Sequence, residues 1–196
     1  DVFSRITLNN FYGIEYAEFA AETAKVALRI VEYQMDERYR NRFGTVGVTL
    51  PLRGAPHIIN ADALDIDWQA VCPGLGEVNI CGNPPFLGHQ SRSESQSKQQ
   101  KYIMSKAGVK SSNSLDFVCN WLIKSHSYSK TNSDVKFAFV TTSSVHQGRQ
   151  LSALWPVIIK DGANIFFAHK PFKWGNMATK NAAVSVSIVG VCYTKK

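Results

Sequence analysis

Gly82-Asn83-Pro84-Pro85-Phe86 is the segment of this chain with the most specific chemistry. Two consecutive prolines fix φ at both positions and withdraw two backbone donors. The carbonyls of Asn83 and Pro84 remain as acceptors, the Asn83 side chain adds another, and Phe86 offers a flat apolar face. Together they form a rigid cradle for a planar group that carries an NH2. A plain strand-terminating turn is the other reading, since Asn-Pro also signals turns. Two acids occupy comparable places: Glu15 follows the apolar segment NFYGI, and Asp62 follows HIIN. In an open α/β sheet, ligands sit at the carboxyl ends of strands. That placement lets Glu15, Asp62 and Asn83 serve one crevice.

The elements that must hold these residues alternate between strands and helices. Residues 10–14 read as a strand ending at Gly13, and residues 17–35 carry apolar side chains at helical spacing. A Gly/Pro-punctuated connection follows over 41–56, then short strands at 57–59 and 77–82, the second running directly into Asn83. Residues 115–125 read as a helix capped by Asn113 or Ser114, and 150–159 as a second short helix. Between and after them, 136–140, 163–168 and 182–191 read as strands. Residues 88–114 are rich in Ser, Lys and Gln with little periodicity, which predicts a mobile functional loop. The alternation argues for an α/β domain with a mostly parallel sheet.

The 196 residues, 44% hydrophobic and 19% charged, exclude a disordered, collagen-like or coiled-coil chain. The net charge of +7 is uneven. Residues 1–88 hold 7 Lys/Arg against 11 Asp/Glu, a net of −4, whereas residues 89–196 hold 15 against 4, a net of +11. A basic half suits a polyanion such as nucleic acid, although a solvated basic surface would give the same count. No apolar run reaches the roughly 18–20 residues that span a bilayer, and no signal-peptide core follows Asp1. Four scattered cysteines do not make a disulfide framework, so a reduced, cytoplasmic protein is expected. A chain that opens on Asp1 rather than Met is expected to begin inside a longer gene product, with residues 1–196 as one part of it.

Asn-Pro-Pro-Phe after an apolar strand resembles motif IV of the amino-methyltransferases that use S-adenosylmethionine, most often the N6-adenine DNA methyltransferases. Further segments match in order. FYGIE (11–15) resembles the second-strand motif, which implies that Glu15 binds the ribose hydroxyls of the cofactor. NADAL (60–64) resembles the third-strand motif, which implies that Asp62, with Ala63 beside it, contacts the cofactor's adenine. KFAFVTTSSVHQGRQ (136–150) resembles the fifth strand and its turn, and residues 165–191 resemble the sixth and seventh strands. With LDFVCNWLIKS, the set is most similar to the methyltransferase domain of large fused type II restriction-modification enzymes. The resemblance implies a Rossmann-like class I sheet, mostly parallel, with an antiparallel strand near the C-terminus. Such enzymes carry a Gly-rich loop after their first strand, and nothing in residues 1–10 matches it. The resemblance therefore implies a fragment lacking that strand, the nuclease domain and the target-recognition domain.

It also implies a reaction. The lone pair of adenine N6 is delocalised into the ring, so methylation needs that nitrogen to pyramidalise. Acceptors on its two N–H bonds, the Asn83 oxygen and the Pro84 carbonyl, favour that geometry. Because N6 is hidden in duplex DNA, the base must be flipped out and stacked. Phe86 would supply one face and Phe172 the second, beside Trp174, with Lys170 and Lys173 placed to meet phosphates. Core packing is the other reading of Phe172 and Trp174.

Other candidates are weaker. Cys72-Pro73 reverses the order found in cytosine-C5 methyltransferases, so Cys72 reads as a loop thiol. The five histidines have no metal-ligand spacing, and no metal is expected. Asp65, Asp67 and Asp116 read as caps or solvated surface. His146 near Thr141 to Ser144 lacks the strand–turn–helix elbow of a hydroxyl nucleophile. Methyl transfer to RNA or to a protein glutamine, and a non-catalytic nucleic-acid-binding module, are the competing functions.

Overall fold

The computed structural model describes residues 6–44, 54–110, 112–132, 134–174 and 184–193. The chain packs as two compact units, residues 1–73 and 74–196.

The first unit pairs β1 (Tyr12–Glu15) and β2 (His57–Asn60) in parallel, with Glu15 opposite Asn60. Helix α1 (Glu18–Phe43) packs on this pair, and α2 (Trp68–Val71) follows β2. The helix runs well past residue 35, where the sequence pattern loses its apolar stripe. Its second half, EYQMDERYRNRF, is held by good helix formers and by pairs such as Glu37–Arg40, so intrinsic propensity carries it on. Gly44, at φ +85°, ends it in a conformation that only glycine takes cheaply. The connection expected over 41–56 thus starts later than its pattern suggests, and residues 45–53 lie outside the described residues.

The second unit is built on a four-stranded sheet in the order β3-β4-β6-β5: β3 (Val78–Gly82), β4 (Val135–Thr142), β5 (Ala163–Lys173) and β6 (Ser185–Tyr193). β3 and β4 are parallel, and β6 runs antiparallel to both β4 and β5. One reversed strand in an otherwise co-directional sheet matches the α/β class read from the sequence and the C-terminal antiparallel strand that the resemblance implies. Alternation along β4 buries Val135, Phe137, Phe139 and Thr141. Against this sheet pack α4 (Cys119–Ser129) and α5 (Gly148–Lys160), through side chains such as Leu122, Ile123, Leu154 and Ile158.

Other segments of the second unit also differ from the sequence reading, for local reasons. Residues 88–114 are not a featureless loop, because α3 (Glu94–Lys106) occupies their centre. Ser93 caps it reciprocally: its hydroxyl accepts from the Gln96 amide at 3.2 Å, and the Gln96 side chain accepts from the Ser93 amide at 2.9 Å. Gln100, Ile103 and Met104 then form a buried stripe at helical spacing, disguised because one of the three is polar. The helix expected from Leu115 begins at Cys119, since residues 116–118 wind through tighter i to i+3 bonds and carry no Asn113 or Ser114 cap. Finally, β5 continues to Lys173. Pro171 is tolerated there because β5 is an edge strand, and the pairing slips between His169 and Phe172.

Candidate active site

In the first unit, the candidate residues sit where two parallel strands end together. The Asn60 side chain donates to the carbonyls of Glu15 and Tyr16 at 3.0 and 2.8 Å, and the Ala61 amide donates to Glu15 O at 2.9 Å. These bonds tie the end of β1 to the end of β2 and leave the Glu15 carboxylate exposed. Two residues on, Asp62 turns the chain: its Oδ1 accepts from the Leu64 amide at 2.8 Å. The Ala63 carbonyl accepts from Trp68 Nε1 at 2.8 Å, and Leu64 and Trp68 are buried. Glu15 and Asp62 therefore flank adjacent strand ends about 5 Å apart in the pairing direction. Asn60, the tie between them, was not singled out from the sequence; an Asn closing a β-branched strand is the signal that marks it.

In the second unit, Asn83 leaves β3 immediately after Gly82, which pairs with Phe139. Asn83 and Pro85 are exposed, Pro84 is buried and Phe86 is half-buried. The buried Pro84 ring anchors the segment, while no internal hydrogen bond engages the Asn83 side chain or the Pro84 carbonyl among the described residues. Downstream, Leu87 is gripped on both sides, its amide donating to Asp116 Oδ1 at 3.2 Å and its carbonyl accepting from the Phe117 amide at 3.0 Å. Asp116 is 8% exposed, so the expectation of a solvated acid fails for it. Asp67 does cap a helix, accepting from the Gln69 amide at 3.0 Å.

Strand direction brings a second set of residues to the same end of this sheet. β4 ends at Thr142, which is opposite Val186 near the start of β6, and Val186 is opposite Phe172 near the end of β5. Lys170, Phe172, Lys173 and Trp174 thus lie at the edge to which Asn83 also belongs, on the strand farthest from β3. Phe172 is 39% exposed and its ring centroid lies 6.3 Å from that of Trp174, so it is not a core residue. Hydroxyls line the edge between them, with Ser143 Oγ 2.8 Å from Ser185 Oγ. Among the described residues no group of three or more His, Cys, Asp or Glu side chains is placed to hold a metal ion. Cys119 is deeply buried, and desolvation first, then the Asp116 charge, push its thiol far above the usual range, so it is no nucleophile.

Burial lowers the pKa of two histidines in this unit. His146 Nε2 lies 2.7 Å from Thr141 Oγ1, and burial holds its pKa down to about 4. His126 is lowered by burial first and by Lys130 second, against the opposing pull of Asp161, 3.2 Å from its Nε2. A histidine with a lower pKa folded than unfolded takes up its proton more readily in the unfolded chain. The stability it contributes is therefore complete above its ordinary pKa of 6.5 and is lost as the pH falls towards 4. We expect the thermal midpoint to drop continuously across that window, with His146→Asn removing part of the slope. Calorimetry from pH 7.5 to 4 checks this; a flat midpoint would contradict it. The His146 share is on the order of 2 kcal/mol, allowing for the ring's partial exposure.

The acids at the ends of β1 and β2 present carboxylate acceptors of the kind a ribose diol and an adenine amino group require, so the donor set fits S-adenosylmethionine. Fold and motif together define an α/β domain of the DNA-methyltransferase class. The chain belongs to the family described as MmeI, DNA-methyltransferase domain, whose model matches residues 1–196. It is 43% identical over 188 residues to DNA methyltransferase A of Bacillus subtilis (strain 168), covering 94% of this chain and 21% of that protein. Its fold is similar to that of the type IIL restriction-modification enzyme MmeI, solved in complex with DNA. The TM-score is 0.88 at 38% identity, covering 98% of this chain and 26% of the other. The chain thus spans about a fifth to a quarter of the length of these relatives.

Proposed function

We propose that this domain carries out the methyl-transfer step of a restriction-modification protein, methylating N6 of an adenine flipped out of duplex DNA. The observation that carries the reading is the Asn83–Phe86 segment, with its acceptors unengaged, at the carboxyl end of β3 in a domain of this family. S-adenosylmethionine, when bound, supplies an electrophilic methyl group on a sulfonium centre. Glu15 would hold its ribose hydroxyls, and Asp62 and Ala63 its adenine. The Asn83 side-chain oxygen and the Pro84 carbonyl accept the two N–H bonds of the target amino group and so favour the pyramidal nitrogen that attacks. The Pro84 carbonyl is set before the substrate arrives, because the prolines leave the backbone of the segment little freedom. Phe86 and Phe172 stack on the extruded base, replacing the stacking it loses in the duplex. Trp174 packs beside Phe172.

Lys170 and Lys173, on the same edge strand, meet the DNA backbone. A relative solved in complex with DNA and the net charge of +11 over residues 89–196 both support a duplex partner. Replacing both lysines by alanine is expected to weaken binding to any duplex and to lower the slope of log K against log salt by about 2. A salt titration by fluorescence anisotropy measures it, and an unchanged slope removes both residues from the interface. The protein would act in the cytoplasm, where a restriction-modification system meets DNA.

The test of the reaction is methyl transfer from labelled cofactor by the full-length protein, with product nucleosides separated. N6-methyladenine in duplex DNA is the expected product. N4-methylcytosine, or label appearing instead in RNA or in a glutamine-containing peptide, would overturn the assigned substrate.

A further inference from the structure

The Asn83–Phe86 segment faces a mechanical problem that its own sequence creates. Pro84 and Pro85 have no N–H, so the framework cannot hold the middle of the cradle through backbone donors. Its geometry must be set from the flanks. Upstream, β3 pairs with β4 as far as Gly82 and Phe139. Downstream, the Leu87 amide is the first to be held among the described residues, and it donates to Asp116 Oδ1 across 29 residues of sequence.

Asp116 is built into the unit more firmly than a helix cap needs. Its Oδ1 also accepts from the Val118 amide at 3.3 Å, and its Oδ2 accepts from Thr142 Oγ1 at 3.0 Å, at the end of β4. Its own amide donates to Gln150 Oε1 of α5 at 2.9 Å. From α3, the buried Gln100 donates to the carbonyls of Ser112 and Leu115 at 2.7 and 3.2 Å, fixing the turn that delivers Asp116. One carboxylate therefore joins the exit of the Asn-Pro-Pro-Phe segment to the end of the neighbouring strand.

We infer that Asp116 is a positioning residue for methyl transfer, setting the reach of Asn83 and Pro84 by clamping the Leu87 peptide to the end of β4. The inference rests on the methyltransferase reading above for its effect on rate, but not for the clamp itself. In the full-length protein, Asp116→Ala takes the shared acceptor from the Leu87 and Val118 amides and the Thr142 hydroxyl and lets the exit of the segment drift. A misplacement of about 1 Å at this distance from the chemistry lowers kcat on the order of 10²-fold. KM for S-adenosylmethionine should stay within about twofold, because Glu15 and Asp62 belong to other strands. Asp116→Asn keeps an oxygen for the two amides and can donate its NH2 to Thr142, so it should restore most of the rate.

Amide hydrogen exchange at Leu87 is read in the same three proteins. It is expected to quicken at least tenfold in Asp116→Ala and to return near the parent value in Asp116→Asn. Thr142→Val, which releases only one grip, should lower kcat several-fold at an unchanged melting temperature, and it serves if the alanine variant does not fold. Unchanged Leu87 exchange in Asp116→Ala, or an equal loss of kcat in the alanine and asparagine variants, would overturn the inference. If the parent protein transfers no methyl group to DNA, the reaction assignment fails, while Leu87 exchange still decides the role of Asp116.

Discussion

Asn83→Ala in the full-length protein is expected to lower single-turnover methyl transfer by about 10²- to 10³-fold, the usual loss on removing one preorganised polar group from a charge-developing site. The substitution is clean because Asn83 is exposed and its side chain makes no internal hydrogen bond among the described residues, and the β3 register ends at Gly82. Affinity for S-adenosylmethionine should change little beside the rate. The Pro84 carbonyl remains in place and can still accept one N–H bond, which is why some transfer should survive. Quenched-flow transfer with labelled cofactor gives the rate, and equilibrium dialysis gives the affinity. A variant that loses cofactor binding and rate in equal measure would mean that Asn83 serves the cofactor rather than the target base.

Phe137→Ala carries the largest expected loss of stability, about 3–5 kcal/mol. Phe137 is 1% exposed on β4, a strand paired on both sides, with β3 at one edge and β6 at the other. Its ring packs 6.3 Å from that of Phe139 and 6.4 Å from that of Tyr193, so truncation opens a cavity between two strands rather than at an edge. Little backbone there can collapse to fill it, since Val135 and Val191 are fully buried. Denaturant unfolding followed by tryptophan fluorescence measures the change, and a loss under 1 kcal/mol would show that the neighbours refill the space.

The elements around the site were legible wherever a short apolar run ended in a polar residue. HIIN and VNICG became β2 and β3, and both delivered the expected residue at the carboxyl end. The final strand was legible from its alternation, and its reversed direction only from the family resemblance. What escaped was the polar scaffolding. Gln100 and Asp116 are both buried, but a buried polar side chain gives no hydrophobic period, and its partners lie far along the chain. For α3 the capping pair Ser93 and Gln96 was in plain view, and only the polar surface of the helix hid it. Asp116 offered no such local cue: its partner Leu87 is 29 residues away, so its role exists only once β3, β4 and α4 are assembled.

On the proposed function, the paired prolines would also act as a chemical filter. A cradle whose middle has no N–H offers oxygen lone pairs and little else, so it welcomes a base edge that gives protons and repels one that presents oxygen. The keto groups of guanine and thymine would bring O6 or O4 against the Pro84 carbonyl, lone pair to lone pair, with no amide at Pro84 or Pro85 to turn towards them. Each such encounter leaves two acceptors stripped of water and unmatched, at a cost of about 1–3 kcal/mol apiece. On the proposed function, rejection of the two keto edges would be written into the absence of two hydrogens, before any contact with the surrounding DNA sequence is made.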